Sequence, residues 1–243
     1  MFSFKANVCK IFNTVRYNLT MPVTEPVLYQ KQIIDFSAIT ASMVNFWPFN
    51  NNFFDMVSQA YLYDPVSVSF TTDRLNTPGA ALNLNRGYIS APPGIYFKGD
   101  YTISAWFKVA SNAGAILIDF AGPNHVNEVA VGISFGNGIS YDLNTDANNG
   151  NFGQVFSATA ITLNKWQFLA VTLNGTQCSI YLDGVLTKTG NAVSPSNVTR
   201  SFNYIGRSNW PSYAGTTAAI DDLKFFNRAL TQSELMLVMN SYY

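Results

Sequence analysis

WQFLAVTLNGTQCSIYLDGVLTKTG, residues 166–190, predicts three short antiparallel strands joined by two tight turns. Apolar side chains alternate along this segment, so Cys178, Ile180 and Leu182 share one face of a strand, which we expect to be the core face. Asn174-Gly175 and Asp183-Gly184 are strong hairpin signals, because type I′ turns need a positive φ at both central residues. We therefore predict a meander of strands at about residues 166–173, 177–182 and 185–189.

The same period-two alternation, with turn residues at regular intervals, extends over residues 44–242. Asn137-Gly138 marks a third hairpin, and residues 144–153 form a polar segment that predicts a loop. Thr231 and Glu234 form a capping box, which predicts one short helix near the C-terminus. Further strands are predicted at about residues 81–90, 101–110, 114–120, 129–135, 139–144, 202–206 and 218–226.

The fold class that follows is all-β, an antiparallel two-sheet sandwich with an N-terminal extension and a short C-terminal helix. We place the extension at residues 1–43 and the sandwich domain at residues 44–243. Trp106 and Trp166 are expected to fill the core between the two sheets. The residues expected to be largely buried are Trp106, Phe168, Val171, Ile180, Leu182 and Phe225.

Composition narrows the possible partners of the chain. Its 243 residues carry no net charge, and only 12% are charged, while 48% are hydrophobic and 15% aromatic. Nucleic-acid binding is not expected, because phosphate contacts need clustered Lys and Arg. Insertion into a membrane is not expected either, because no apolar run approaches the roughly 20 residues of a spanning helix. Low charge weakens repulsion between copies, so the chain is suited to assembling with copies of itself.

The N-terminal extension begins with an alternating segment in which Phe2, Phe4, Ala6 and Val8 share one face. We interpret it as an assembly strand that completes a sheet edge of a neighbouring copy. Two alternatives remain open: the extension folds back onto its own sandwich, or residues 8–15 form a short amphipathic helix. Cys9 allows two further alternatives, a disulfide with Cys178 or a buried free thiol at Cys178.

Several motifs resemble the laminin-G-like, or concanavalin A-like, jelly-roll family and occur in that family's order. Tyr101–Val109 resembles its "FTISAW" strand, and residues 166–185 resemble its "W-x-x-V-A-V-T … L-Y-V-D-G" meander. Ile220–Leu230 is similar to the family's terminal strand, and Phe46-Trp-Pro-Phe49 with Asp55 is similar to its opening strand and loop. The resemblance covers about residues 44–240 and implies that the domain at residues 44–243 is a jelly-roll sandwich. It leaves function open, because this fold hosts sugar binding, adhesion, calcium-dependent recognition and glycoside hydrolysis.

No catalytic residue is predicted. The glutamates Glu25, Glu128 and Glu234 are isolated in the sequence, and a glycosidase needs two carboxylates flanking the scissile bond. Asp221 and Asp222 are adjacent on a strand, so their side chains are expected to point to opposite faces. We therefore expect the protein not to be an enzyme.

No cofactor is predicted, with calcium as the open alternative. The family resemblance implies that Asp55 and Asp222 match acidic positions that hold calcium in some members, and the loop from Asp142 to Asp146 offers more oxygen atoms. The competing interpretation is that Asp222 accepts hydrogen bonds from backbone amides of the opening loop.

Trp210, Tyr213, Asn148 and Asn149 form a candidate ligand loop, because exposed aromatic rings with polar neighbours suit sugars. The Trp-Pro turn has an alternative interpretation as a simple loop anchor. Candidate glycosylation sites, which need exposed loops of secreted proteins, are Asn18, Asn174 and Asn197.

Two functions are predicted. The first is an extracellular or cell-surface structural or adhesive protein that assembles with itself, into a filament or oligomer, through the N-terminal extension. The second is a monomeric lectin-like module that binds glycans or extracellular proteins. Oligomeric state and glycan binding discriminate between them.

Overall fold

The computed structural model describes residues 36–110, 114–133, 138–144, 152–210 and 215–241. In chain order the elements are α1 (Phe36–Ala41), β1 (Met43–Trp47), β2 (Tyr63–Thr71), β3 (Ala81–Ala91), β4 (Tyr101–Val109), β5 (Ala115–Ala121), a 3₁₀ turn (Pro123–His125), β6 (Glu128–Ile133), β7 (Ile139–Asn144), β8 (Phe152–Ser157), β9 (Gln167–Asn174), β10 (Gln177–Leu182), β11 (Val185–Asn191), β12 (Phe202–Ile205), β13 (Thr216–Phe226) and α2 (Gln232–Met239).

Two antiparallel sheets share the long strand β3, which confirms the predicted jelly-roll-like sandwich. Sheet 1 has the order β11-β10-β9-β4-β13-β3, and sheet 2 has the order β3-β12-β5-β6-β7-β8. The first half of β3 pairs with β13 and its second half pairs with β12, so the sheets diverge near Arg86 and Gly87. Arg86 has a φ of 51°, and a Cβ on Gly87 would lie 2.3 Å from the Ser67 carbonyl oxygen. Only glycine therefore fits this bend.

The predicted meander is confirmed as β9, β10 and β11, with one correction to its turns. Asp183 and Gly184 both have positive φ, as a type I′ turn requires. Asn174, however, pairs with Gln177, so the two loop residues are Gly175 and Thr176, and only Gly175 has positive φ. The prediction placed Asn174 and Gly175 at the two central positions of a type I′ turn. The turn instead lies one residue later, with Gly175 at its first central position, as in a type II′ turn. Asn137 lies outside the described residues.

The main core lies between the sheets and is rich in aromatic rings. Val171, Ile180 and Phe225 are fully buried in it, as predicted. Trp106 and Trp166 were placed there wrongly, since Trp106 is only partly buried on the outer face of sheet 1 and Trp166 is partly exposed beside Lys108. The large tryptophan of the core is Trp47, whose ring meets that of Phe225 edge-on with centroids 5.3 Å apart.

A second apolar cluster covers the outer face of sheet 1, which we call the helix face. It is formed by the sheet residues Phe168, Ala170 and Phe226, by Phe46 and Met43 of β1, and by apolar side chains of α1 and α2. Phe168 is buried here rather than between the sheets. Residues 36–43, which the sequence placed in the extension, form α1 and the start of β1 and pack into this cluster. The capping box predicted at Thr231 and Glu234 starts α2.

Two strands were missed in the sequence, β2 and β8. β2 is an edge strand whose residues are mostly exposed. Val66, Val68 and Phe70 nevertheless alternate with polar residues, so the sequence carried a strand signal here that the prediction did not use. β8 begins at Phe152, inside the segment predicted to be a loop, of which residues 145–151 lie outside the described residues. Among the described elements, no helix is long and apolar enough to cross a membrane.

Candidate acid site on the outer face of sheet 2

Three consecutive strands of sheet 2 each carry a carboxyl group on the face away from the core. Asp119 lies in β5, Glu128 in β6 and Asp142 in β7. Their strand neighbours Ile118, Phe120, Val129 and Tyr141 belong to the core. Strand register pairs Asp119 with Ala130 and Ala130 with Asp142, so the three acids lie close together. We call this surface the acid face; its other members are Tyr88, Gln154 and Tyr204.

Asp119 and Glu128 form a buried acid pair. Asp119 is fully buried, and its carboxylate accepts hydrogen bonds from Ser208 Oγ (2.9 Å), Asn209 N (2.8 Å) and Asn209 Nδ2 (2.6 Å). Glu128 is 3% exposed, and burial together with the charge of Asp119 raises its pKa to about 9. Glu128 therefore keeps its proton at neutral pH, and its carboxyl group hydrogen-bonds with that of Asp119.

The segment after β12 builds this site. Gly206 turns the chain with a φ of 90°, and a Cβ there would lie 2.6 Å from Leu84 Cδ1, so the turn requires glycine. Ser208 and Asn209 then satisfy Asp119, and the indole Nε1 of Trp210 donates to Glu128 Oε2 over 3.2 Å. Residues 206–210 thus hold Trp210 on the acid face while 48% of its surface stays exposed.

The guanidinium of Arg207, in the same segment, lies against two tyrosine rings. Its Cζ lies 4.8 Å from the ring centroid of Tyr88 and 4.7 Å from that of Tyr204. The two rings contact each other edge-on at 5.7 Å. Asp142, farther across the sheet, accepts a hydrogen bond from Gln154 Nε2 (2.6 Å), and burial raises its pKa. The face thus combines aromatic rings, a guanidinium and hydrogen-bonding groups, which is the chemistry of polar-ligand recognition.

A second acid pair, Asp221 and Asp222, lies on the helix face, and the prediction that its side chains point to opposite faces was wrong. β13 has an irregular register here, and Asp222 has a φ of 51°, so the extra residue turns both carboxylates outward. Arg74 Nη1 contacts Asp221, and Arg74 Nη2 contacts Asp222 at 2.8 Å, while Lys224 Nζ lies 3.3 Å from Asp222. Burial and Asp222 raise the pKa of Asp221, which Arg74 opposes.

The calcium candidates that the structure describes, Asp55, Asp142 and Asp222, have other partners, and Asp146 lies outside the described residues. Asp55 accepts hydrogen bonds from three backbone amides, those of Phe46, Val57 and Ser58, and from the side chains of Asn45 and Ser58. Asp55, rather than Asp222 as predicted, therefore satisfies the opening loop. Within the described ranges, no group of three or more His, Cys, Asp or Glu residues is arranged to hold a metal ion.

Several predicted site residues lie outside the described residues, namely Phe2, Phe4, Ala6, Val8, Cys9, Asn18, Asn148, Asn149 and Tyr213. The predictions made for them stay predictions. Asn174 and Asn197 are both exposed, as glycan acceptors require. Cys178 is fully buried, which raises the pKa of its thiol to about 12.

Sequence reasoning found Trp210 but missed the acids beneath it. Asp119 carried a signal, because it is the one charged residue in the apolar strand AILIDFA. Glu128 was judged isolated, and this was wrong in three dimensions, since strand pairing brings it to Asp119. Arg207, Ser208 and Asn209 gave no signal in the sequence, because only the backbone turn at Gly206 aims them at the sheet.

Comparison with known families confirms the resemblance seen in the sequence. The profile of the concanavalin A-like lectin/glucanases superfamily matches residues 83–236. No curated protein matches the chain significantly.

Solved structures share the fold. The binding domain of botulinum neurotoxin serotype D/C has a TM-score of 0.65 and 18% identity, covering 83% of this chain and 52% of that one. Domain 4 of AbnA, a GH43 extracellular arabinanase from Geobacillus stearothermophilus solved with arabinotriose, has a TM-score of 0.63 and 17% identity, covering 82% and 98%. The binding domain of Paraclostridial Mosquitocidal Protein 1 has a TM-score of 0.61 and 16% identity, covering 84% and 53%. The chain thus spans about half the length of the toxin domains.

Proposed function

The chain belongs to the concanavalin A-like lectin/glucanases superfamily, and on this premise we propose that it is a non-catalytic glycan-binding module whose site is the acid face. The observation that carries the proposal is Trp210, an indole 48% exposed yet fixed by a hydrogen bond to the buried Glu128. A rigid aromatic ring beside hydrogen-bonding groups suits a sugar, which has an apolar face and a rim of hydroxyl groups. Gln154 and Tyr204 supply polar groups on the same face.

The arrangement of the acid pair supports binding rather than hydrolysis. Glycosidases need two carboxyl groups on either side of the scissile bond, about 5 Å apart in retaining enzymes and about 6.5–9.5 Å apart in inverting ones. Asp119 and Glu128 instead hydrogen-bond to each other and are 0% and 3% exposed. A sugar therefore cannot enter between them. The role of the pair is to bind residues 208–210 and hold Trp210 in place.

An extracellular location is part of the proposal. The fold is shared with toxin binding domains and with a domain of an extracellular arabinanase, and the acceptor positions Asn174 and Asn197 are exposed. These features support a module that meets glycans outside the cell.

Self-assembly through Phe2, Phe4, Ala6 and Val8 stays a second hypothesis. Within the described residues, the edge strand β2 is poorly suited to accept another strand. Asp64 and Ser67 have positive φ, Pro65 lacks an N–H, and the pairing of β2 with β3 shifts register twice. Charges, prolines and bulges of this kind block strand addition at edges. The edge at β2 therefore gives no support to strand addition.

The test is a glycan array probed with the full chain, followed by calorimetric titration of the best-bound oligosaccharide. Trp210→Ala should weaken binding by about two- to tenfold, because the contact with a fixed aromatic ring contributes about 0.5–1.5 kcal/mol. Trp166→Ala is the matched control, since Trp166 is also partly exposed but lies beside Lys108, away from the acid face. Light scattering on the same sample should show a monomer.

Three outcomes would contradict the proposal. The array shows no binding, Trp210→Ala binds as well as the unchanged protein, or the bound glycan is hydrolysed in a manner that Glu128→Gln abolishes. The last result would make the acid pair a catalytic centre.

A further inference from the structure

We propose that the glycan carries an anionic group, a carboxylate or a sulfate, and that the guanidinium of Arg207 recognises it; this inference rests on the acid face being the binding site. The observation behind it is the position of Arg207 on that face, fixed by two aromatic rings and without an oxygen partner among the described residues.

Other arginines of the chain show the contrast. Arg74 donates to Asp221 and Asp222, Arg228 donates to both carboxylate oxygens of Glu234, and Arg200 donates to three backbone carbonyl oxygens. Each of these guanidinium groups already has hydrogen-bond acceptors within the fold. Arg207, by contrast, makes only its two ring contacts within the described part of the chain.

The two tyrosines organise Arg207 for binding. The Cζ of Arg207 lies 4.8 and 4.7 Å from the centroids of the two rings, which hold the side chain in place, while its N–H groups have no acceptor among the described residues and are available to a ligand. The N–H edge of a guanidinium matches the paired oxygens of a carboxylate or sulfate, and a pre-placed side chain loses little entropy on binding. A lysine at this position would supply charge without the two-pronged geometry.

The neighbouring acid does not neutralise Arg207. Tyr204 pairs across the sheet with Asp119, yet the Asp119 carboxylate is taken up by Ser208 and Asn209, the two residues that follow Arg207. Glu128 is protonated because its pKa is about 9, and Asp119 is fully buried. The fold therefore satisfies its buried acid with neutral donors and leaves the adjacent cation for a ligand.

Trp210 and Arg207 are placed to act on one glycan. Arg207 lies over Tyr204 of β12, and Trp210 contacts Glu128 of β6, with only β5 between these strands. Two strand spacings amount to about 10 Å. A sugar on the Trp210 indole can therefore present a charged substituent, its own or that of an adjoining sugar, to Arg207.

The test uses an array that carries each acidic glycan beside its neutral counterpart: oligogalacturonates beside their methyl esters, and sulfated oligosaccharides beside desulfated ones. The full chain should bind the charged member of at least one pair about 10- to 100-fold more tightly, the range expected for hydrogen bonds to a charged group. The two kinds of pair distinguish carboxylate from sulfate.

Arg207→Gln should abolish this preference, so that the two members of a pair bind equally, and Arg207→Lys should keep only part of it. Arg86→Gln is the matched control, because Arg86 is exposed at the bend of β3. Melting temperatures verify that each variant is folded.

Equal binding of both members of every pair, or a preference that survives Arg207→Gln, would overturn the inference while leaving the proposed function intact. The absence of binding to any glycan would instead overturn the proposed function.

Discussion

The two outer faces of the sandwich each carry a pair of buried acids, but they balance the charge in opposite ways. On the helix face, Asp221 and Asp222 share Arg74, with Lys224 beside them. On the acid face, Asp119 and Glu128 share a proton, and the remaining hydrogen bonds come from uncharged donors of residues 208–210.

This difference separates a structural cluster from a candidate site. A buried acid pair with a cation holds together the segments that contribute the charges. Arg74 also donates to the carbonyl oxygen of Ser241, which follows α2, so it connects a third segment to the pair. A buried acid pair without a cation costs stability at neutral pH, because one carboxyl must keep its proton. Such a cost is typical of functional sites.

The largest effect is expected from removing the cation of the helix face. Arg74→Met should lower the free energy of unfolding by about 3–5 kcal/mol, because it leaves Asp221 and Asp222 buried without their shared guanidinium. Urea unfolding at pH 7 measures the loss. Arg86→Met, on an exposed arginine, should stay within about 0.5 kcal/mol of the unchanged protein. A loss below about 1 kcal/mol for Arg74→Met would show that these acids do not depend on the cation.

On the acid face, replacing an ionisable group by a neutral one should raise the free energy of unfolding, whereas on the helix face it should lower it. The folded state raises the pKa of Glu128 from 4.5 to about 9, so stability is greatest below pH 4.5 and falls as pH rises towards 9. Glu128→Gln mimics the protonated acid and should therefore stabilise the protein by roughly 2–3 kcal/mol at pH 7, and not at pH 4. Urea unfolding across this pH range measures the difference.

Glu234→Gln is the matched control for that experiment. Hydrogen bonding with Arg228 lowers the pKa of Glu234, so its contribution is present above the ordinary pKa and is lost as pH falls. Its neutralisation should cost a little stability at pH 7. If Glu128→Gln also destabilises the protein at pH 7, Glu128 is ionised in the folded state and the shared proton does not exist.

Most of the fold was predictable from the sequence because alternation and turn residues are local. The meander of β9, β10 and β11 follows from two tight turns and one apolar face, and α2 follows from a capping box. What failed needed information from elsewhere in the chain. Trp106 alternates correctly, but the helices cover its face of sheet 1, so an apolar side chain there need not be in the core between the sheets.

The candidate site was predictable only in part, for a related reason. Trp210 stands out as a tryptophan in a polar segment, whereas its partner Glu128 is 82 residues away and meets it only through strand pairing. The side-chain direction of Asp222 was likewise not predictable. Strict alternation places its carboxylate on the face opposite that of Asp221, but its positive φ turns it to the same face. Side-chain direction beyond a bulge cannot be inferred from spacing alone.

The smallest effect concerns the helix that covers the helix face. Thr231 caps α2, accepting a hydrogen bond from the backbone N–H of Glu234, and its own N–H donates to Glu234 Oε2 over 2.8 Å. Thr231→Ala should cost about 1 kcal/mol, because one backbone donor of the first turn loses its partner. Thr159→Ala, an exposed threonine outside any helix, should cost less than about 0.5 kcal/mol in the same thermal unfolding experiment. Since α2 packs in the cluster on the helix face, on the side of the sandwich opposite the acid face, glycan affinity measured by calorimetry should not change in either variant. A weakened affinity in Thr231→Ala would mean that the two faces communicate through the sandwich, and the division between a structural face and a binding face would fail.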